Sequence, residues 1–185
     1  MLGPYRIEGY AIISADGMIA DARGKMPPSI RYEADQRFLQ TELDRAVALV
    51  HGRHSYEGSA RAAHRRRLIV TRRVASIAPD PEHKHALLWN PAGTSFEAAL
   101  AALGVRNGLI AIIGGTDVFD LFLAYHDAFH LSQAANAHLP GGRPLFAQVN
   151  AGVTPQQVLA GVGLKAGPQR DLDAAAGVTL VTWQR

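Results

Sequence analysis

The sequence predicts an α/β domain in three layers: a mixed, mostly parallel central sheet, helices on both faces and an antiparallel edge. Two patterns and one bulk property carry the prediction. Short apolar runs bounded by turn residues alternate with segments of helical periodicity, as parallel strands joined by crossover helices do. Two strand-like runs come late, "AFHLSQAANA" and "GVTLVTWQR", and place an antiparallel edge at the end of the fold. The 185 residues, 48% of them hydrophobic and 19% charged, suffice for one core, so a single domain spanning 1-185 is expected.

The elements follow in order. "YRIEGYAII", residues 5 to 13, has the aromatic and β-branched content of a strand. It enters a turn-rich stretch, "SADGMIADARGKMPPS", in which Asp16 forms a turn with Gly17. In "RYEADQRFLQTELDRA", Ala34, Phe38, Leu39 and Leu43 recur at helical spacing, which predicts an amphipathic helix with Asp35 in its first turn. "AVALVHG" reads as a buried strand ending at Gly52, "RHSYEGSARAAH" as a short helix, and "RRRLIVT" and "HALLWN" as two more strands. "TSFEAALAALG" is a helix with Thr94 or Ser95 as N-cap, Glu97 at capping-box spacing from Thr94, and Gly104 as its stop. "GLIAIIGGTDVFDLFL" supplies a strand, a glycine pair and a helix before the two late strands. The stretch from 151 to 177, rich in Gly, Pro and Ala, carries no firm pattern.

Composition removes several functions. Without cysteine there are no disulfides, thiolate metal sites or Cys nucleophiles. A formal charge of +3 does not demand nucleic acid, and the one basic cluster, "HRRR" at 64 to 67, lacks interleaved aromatics. The chain starts without a leader pattern, and no segment approaches the roughly 18 apolar residues of a membrane span, so a soluble, cytoplasmic protein without a membrane partner is expected. "HDAFH", from His126 to His130, imitates a zinc motif, but on a strand the two rings would stand on the order of 13 Å apart, and no metal site is expected.

Ligands of open α/β sheets sit beyond the carboxyl ends of the strands. Three strand ends suit phosphate there. Gly114 and Gly115 either form a tight turn or let a ligand approach the backbone at a helix start. "HGRHSYEG" repeats the arrangement, with Arg53 and Ser55 able to hold an anion or simply to open a surface helix. "LIVTRR" presents Thr71, Arg72 and Arg73, either for an extra phosphate or as a solvated basic loop. Asp35, at a helix start, is either a stabilising end charge or a group that orients a heterocycle and relays a proton.

The order of these pieces resembles the dihydrofolate reductase fold, including the reductase domain of riboflavin biosynthesis. The matching stretches are "YAIISADGMIA", "VHGRHSYEG", "LIVTRR", "AIIGGTDVF" and "FHLSQAANAHLPGGRPLF", spread over residues 5 to 146, together with the final strand. The resemblance implies a bound NADPH. Ala11, Ile12 and Gly17 would line the nicotinamide side. Gly52, Arg53, His54 and Ser55 would cradle phosphate, with Thr71, Arg72 and Arg73 near the adenosine 2′-phosphate. Ile113, Gly114 and Gly115 would carry a cis peptide beside the cofactor, and Thr116, Asp117 and Val118 would present a helix terminus to the pyrophosphate. On the substrate side it implies Asp35 as the catalytic and substrate-orienting acid, Phe38 beside it, Ser132 as the hydroxyl of the later strand, and one arginine of the 65 to 67 run, Arg65 first among them, facing a carboxylate or phosphate.

The implied activity is NADPH-dependent reduction of a small heterocyclic substrate, first of the 5-amino-6-(5-phosphoribosylamino)uracil type. Dihydrofolate or another pterin is the alternative, and a non-catalytic dinucleotide binder is the second. Two departures bear on the choice. Pro28 stands where folate reducers carry Trp, and Met18 follows Asp-Gly where the riboflavin-type enzyme carries a basic residue. The zinc deaminase half of the bifunctional riboflavin protein has no counterpart in this sequence. Related reductases pair as dimers, which leaves room for a homodimer using the apolar segments of 139 to 162.

Overall fold

Tyr5 to Ser14 are buried along nearly their whole length, as expected of a strand covered on both faces. They form β1 (Tyr5–Ser14) at the centre of a computed structural model that describes residues 3–55, 59 and 61–185, with backbone alone at 150 and 151. The other elements are β2 (Met18–Ala20), α1 (Glu33–Arg45), β3 (Ala48–Gly52), β4 (Arg67–Val70), β5 (Ile77–Pro79), β6 (Ala86–Trp89), α2 (Phe96–Ala102) and β7 (Gly108–Ile112). They continue with α3 (Thr116–Phe122), β8 (Ala128–Ala134), β9 (Arg143–Pro144), α4 (Pro155–Gly161), β10 (Lys165–Asp173) and β11 (Val178–Gln184).

The main sheet has the order β10-β11-β8-β1-β7-β3-β4-β6-β5. From β8 to β6 every neighbouring pair is parallel. β11 is antiparallel to β8, and β10 to β11, which makes the expected antiparallel edge; β5 adds a second one beside β6. β2 pairs with β9 in a separate two-stranded sheet, which pins the turn-rich loop after β1 to the segment before residue 146.

Side-chain alternation splits the core in two. On one face Ile7, Ile13, Val50, Leu68, Ile110 and Ile112 pack with Phe96, Leu100, Val118, Phe119, Phe122, Val158 and Leu159 from α2, α3 and α4. On the other, Tyr10, Leu49 and Ala111 meet Phe38, Leu39 and Leu43 of α1. Helices therefore cover both faces. Gly9 is required where β1 passes β8, because a Cβ there would lie 2.3 Å from the Phe129 ring.

Two expectations need correction, and one unassigned stretch gains structure. "RHSYEGSARAAH" does not form the expected helix among its described residues: i→i+3 bonds close one 3-10 turn at Ala62–His64, and Arg65 is already extended. Tyr56 to Gly58 and Ala60 lie outside the described residues. The helix at 96 has Ser95 as N-cap, accepting from Ala98 N–H at 3.2 Å, so the third helical residue is Ala98 and Glu97 is not placed for a capping box. The unassigned stretch after 151 does hold one, between Thr154 and Gln157 at the start of α4, and then the edge strand β10. Among the described residues no helix is long and apolar enough to cross a membrane.

His126, at the entry to β8, is fully buried against the Phe129 ring, and neither ring nitrogen has a hydrogen-bond partner among the described residues. Burial, assisted by the nearby Arg185 guanidinium, lowers its proton affinity to a pKa of about 3. The folded value lies below the ordinary one, so the stability this neutral ring contributes is complete above about pH 6.5 and drains away as pH falls toward 3. Between about pH 6 and pH 4 the wild type should lose roughly 2 kcal/mol more stability than His126→Phe, read from urea midpoints. Parallel pH profiles would show that the ring is not a buried neutral group.

Candidate functional site

The carboxyl ends of β1, β3, β4, β6, β7 and β8 all emerge on one edge of the sheet, because these strands are parallel. β3 ends at Gly52, where the chain closes a tight turn, Ser55 N–H donating to the Gly52 carbonyl at 3.0 Å. β7 runs past Ile113, whose N–H donates to Val50 O at 3.0 Å, into Gly114-Gly115, which are joined by a cis peptide as the resemblance implies. The two turns touch: Gly52 N–H donates to the Gly114 carbonyl at 2.7 Å. Gly114 holds φ +93°, and a Cβ there would lie 2.5 Å from the Phe119 ring, so only glycine fits. A Cβ on Gly115 would come within 3.4 Å of Ser55 Oγ and 3.8 Å of Ile19 Cδ1. The surface between the turns is therefore bare backbone flanked by a hydroxyl.

Around this junction α3 begins at Thr116, whose hydroxyl donates to Pro144 O at 2.5 Å and so ties the site to β9. Asp117 is exposed in the first turn and Val118 is buried under Gly52. Arg53 and His54 are exposed at the tip of the neighbouring turn. Beyond β4, Thr71 is buried, its hydroxyl accepting from Arg73 N–H at 3.2 Å, while the Arg72 and Arg73 side chains are exposed. Ala11 and Ile12 lie in β1 as expected, but being successive strand residues they face opposite sides of the sheet. Gly17, at φ +83°, packs against Pro155 and Val149, beside α4. Its neighbour Asp16 accepts from Ser14 Oγ and from Leu139 N–H.

On the α1 face the structure joins Asp35 and Ser132. Ser132 is the register partner of Ile12 on β8, and its hydroxyl hydrogen-bonds the Asp35 carboxyl reaching over from the first turn of α1. Both groups are buried. Burial raises the Asp35 pKa above the usual carboxylate value, and the Ser132 hydroxyl pulls it part of the way back. Phe38, one turn on, packs over Tyr10 and His130 at 6.5 and 5.7 Å between ring centroids.

Arg65 is not brought to Asp35. Its guanidinium bonds Asp44 at 2.7 Å and Gln40 at 2.9 Å near the far end of α1. Nine residues of helix, roughly 14 Å, separate Asp35 from Asp44. Arg65 lines a cavity of about 360 Å³ there with Arg61, His64 and Arg66, and Arg61 also pairs with Asp44. Among the described residues no group of three or more His, Asp or Glu side chains comes together to hold a metal ion.

Sequence reasoning missed a polar cluster behind Asp35. Glu8, buried in β1, accepts from Tyr10 Oη at 2.6 Å, lies 3.2 Å from His130 Nε2 and pairs with Arg6. Burial opposes its charge, but His130, Tyr10 and Arg6 together hold its pKa at about 2. The signal available was a glutamate and a histidine on strands whose residues are mostly apolar. Because the Ser132 hydroxyl favours ionised Asp35, Ser132→Ala should raise the Asp35 pKa further, read by carbon NMR titration of labelled aspartate. An unchanged or lowered value would mean that the two groups do not interact.

No protein-family model matches the sequence, and no curated protein sequence matches it. Solved structures do resemble the fold. A dihydrofolate reductase from Enterococcus faecalis, complexed with NADP(H) and RAB-propyl, has TM-score 0.66 at 17% identity over 97% of this chain and 96% of its own. A diaminohydroxyphosphoribosylaminopyrimidine deaminase/5-amino-6-(5-phosphoribosylamino)uracil reductase from Thermotoga maritima has TM-score 0.68 at 18% identity over 98% of this chain. This chain covers 56% of that protein's length. A pyrimidine reductase-like protein from Corynebacterium diphtheriae has TM-score 0.66 at 15% identity, covering 97% of this chain and 91% of its own. The chain has the dihydrofolate reductase fold.

Proposed function

We propose that the chain is an NADPH-dependent reductase that delivers hydride to a C=N bond or a ring-opened sugar carbon of a pyrimidine or pteridine type substrate. The leading substrate is of the 5-amino-6-(5-phosphoribosylamino)uracil type. One observation carries the reading: the Gly52–Ser55 turn and the Gly114-Gly115 peptide meet at the carboxyl edge of the sheet, whose α1 face carries a buried Asp35–Ser132 pair. The residues present fit a dinucleotide. Gly52 and Gly115 leave the backbone accessible to pyrophosphate, Ser55 places a hydroxyl at its margin, and Arg53, Arg72 and Arg73 are exposed cations on adjacent tips. When bound, the reduced nicotinamide supplies the hydride.

The chain's own groups then orient and protonate. Asp35, with its raised proton affinity, would hold a proton against a ring nitrogen, and Ser132 would fix the carboxyl's direction. Phe38 would give the heterocycle an aromatic wall. The loop carrying Ile19, already over Gly115, would keep water from the reacting centre. Pro28 in place of Trp supports a ribosylaminopyrimidine over folate as substrate.

Titration with NADPH followed by fluorescence should show saturable binding, and a panel of ribosylaminopyrimidines and pterins should then oxidise the bound cofactor with one class. Tight binding with no turnover on either class would leave a dinucleotide binder, and no binding would overturn the reading. Arg72→Ala should weaken NADPH by about tenfold and leave NADH nearly unchanged. Equal losses would remove Arg72 from the 2′-phosphate.

A further inference from the structure

Arg67, the last arginine of the "HRRR" run, does not face solvent. It is 1% exposed, as is His51 on the adjacent strand. Leu49 of β3 is the register partner of Arg67 on β4, so His51 stands two residues further along the same face. The Arg67 Nε and Nη2 groups donate to Ala62 O at 3.3 and 3.2 Å, and Nη1 lies 3.2 Å from His51 Nε2.

A guanidinium has donors only, so His51 Nε2 must accept and the ring proton sits on Nδ1. Nδ1 lies 2.9 Å from the Gly52 carbonyl. That oxygen also accepts the Ser55 N–H that closes the turn, and the Gly52 N–H donates to Gly114 O. An oriented file of hydrogen bonds therefore runs from Arg67 through His51 to the Gly52 carbonyl, on the residue whose N–H meets Gly114. An apolar side chain would serve packing at position 67, as Leu68 does beside it, and burying a guanidinium carries a desolvation penalty.

We propose that His51 is a positioning residue for the Gly52–Ser55 turn. Its Nδ1–H fixes the Gly52 carbonyl, and Arg67 fixes which nitrogen carries the proton. The turn then presents Ser55 opposite Gly115 without His51 touching a ligand. The effect on dinucleotide affinity rests on the function proposed above; the hydrogen-bond file and its hold on the turn do not.

Two substitutions separate the halves of the file. In His51→Asn the side-chain amide reaches the Nδ1 position and still donates to Gly52 O, while Arg67 Nη1 loses the imidazole acceptor and Nε and Nη2 keep Ala62 O. In His51→Gln the side-chain oxygen reaches the Nε2 position and keeps Arg67, while Gly52 O loses its side-chain donor. His51→Asn should keep the NADPH Kd near the wild-type value despite a lowered Tm. His51→Gln should keep more of the Tm, weaken NADPH by about tenfold, and speed amide exchange at Ser55. Affinity that follows Tm across the two variants, or unchanged Ser55 exchange in His51→Gln, would overturn the proposal.

A wild-type measurement stands apart from how the variants fold. Long-range proton–nitrogen NMR should find the His51 proton on Nδ1, and a proton on Nε2 would sink the proposal. If the wild type binds no NADPH, the functional reading fails, and the tautomer and Ser55 exchange alone decide the role of His51.

Discussion

The hydrogen bond from Gly52 N–H to the Gly114 carbonyl is the constraint on which the candidate site depends. β3 and β7 are parallel neighbours, so the chain leaves both at the same level, and this contact joins the two exits just beyond the last strand register. Once joined, they permit little else in the space between them. Val118 fills the volume beneath Gly52, Phe119 the volume beside Gly114, and Ser55 stands over Gly115. Thr116 extends the junction to β9, and β9 in turn holds the loop that carries Ile19. A surface free of side chains is thus built by packing on three sides.

The α1 face shows how environment separates chemically similar groups. Glu8 and Asp35 are both buried carboxyls. Glu8 is surrounded by Tyr10, His130 and Arg6 and is held ionised. Asp35 has the neutral Ser132 hydroxyl as its hydrogen-bond partner and no ion pair among the described residues, so its proton is held more tightly than usual. One carboxylate is thereby fixed as structural charge, and the other holds its proton more tightly than an exposed carboxyl does. Phe38 packs over Tyr10 and His130 between them and couples the position of α1 to both.

Much of this was legible in the sequence because period and punctuation agreed. β1, β3, β4, β6, β7, β8 and β11 coincide with apolar runs, α1 and α3 with helical spacing, and Gly104 at φ +78° with the end of α2. The edge strand β10 was not legible, because Lys165, Gly167, Pro168, Gln169 and Arg170 read as loop; its pairing comes from β11 rather than from its own side chains. β2, β5 and β9 are too short for any period to show. At the site, glycines and arginines after strands marked the tips, and family resemblance named Asp35 and Ser132 separately, whereas their hydrogen bond is seen only in the fold. Arg65 illustrates the limit of that route: three consecutive arginines look alike in sequence, yet the structure sends Arg65 to Asp44, Arg66 to the Gly104 carbonyl and Arg67 into the core. Which neighbour a long cation finds is decided by tertiary packing.

In the proposed function, chain segments distant in sequence form one cleft for a phosphorylated dinucleotide at the carboxyl edge of the sheet. Hydrogen–deuterium exchange with and without NADPH addresses it most directly. The account predicts slower exchange together at residues 52 to 55, 71 to 73 and 113 to 118, with little change along β10. Exchange unaltered at those tips, or protection confined to the arginine-lined cavity at 61 to 66, would contradict it.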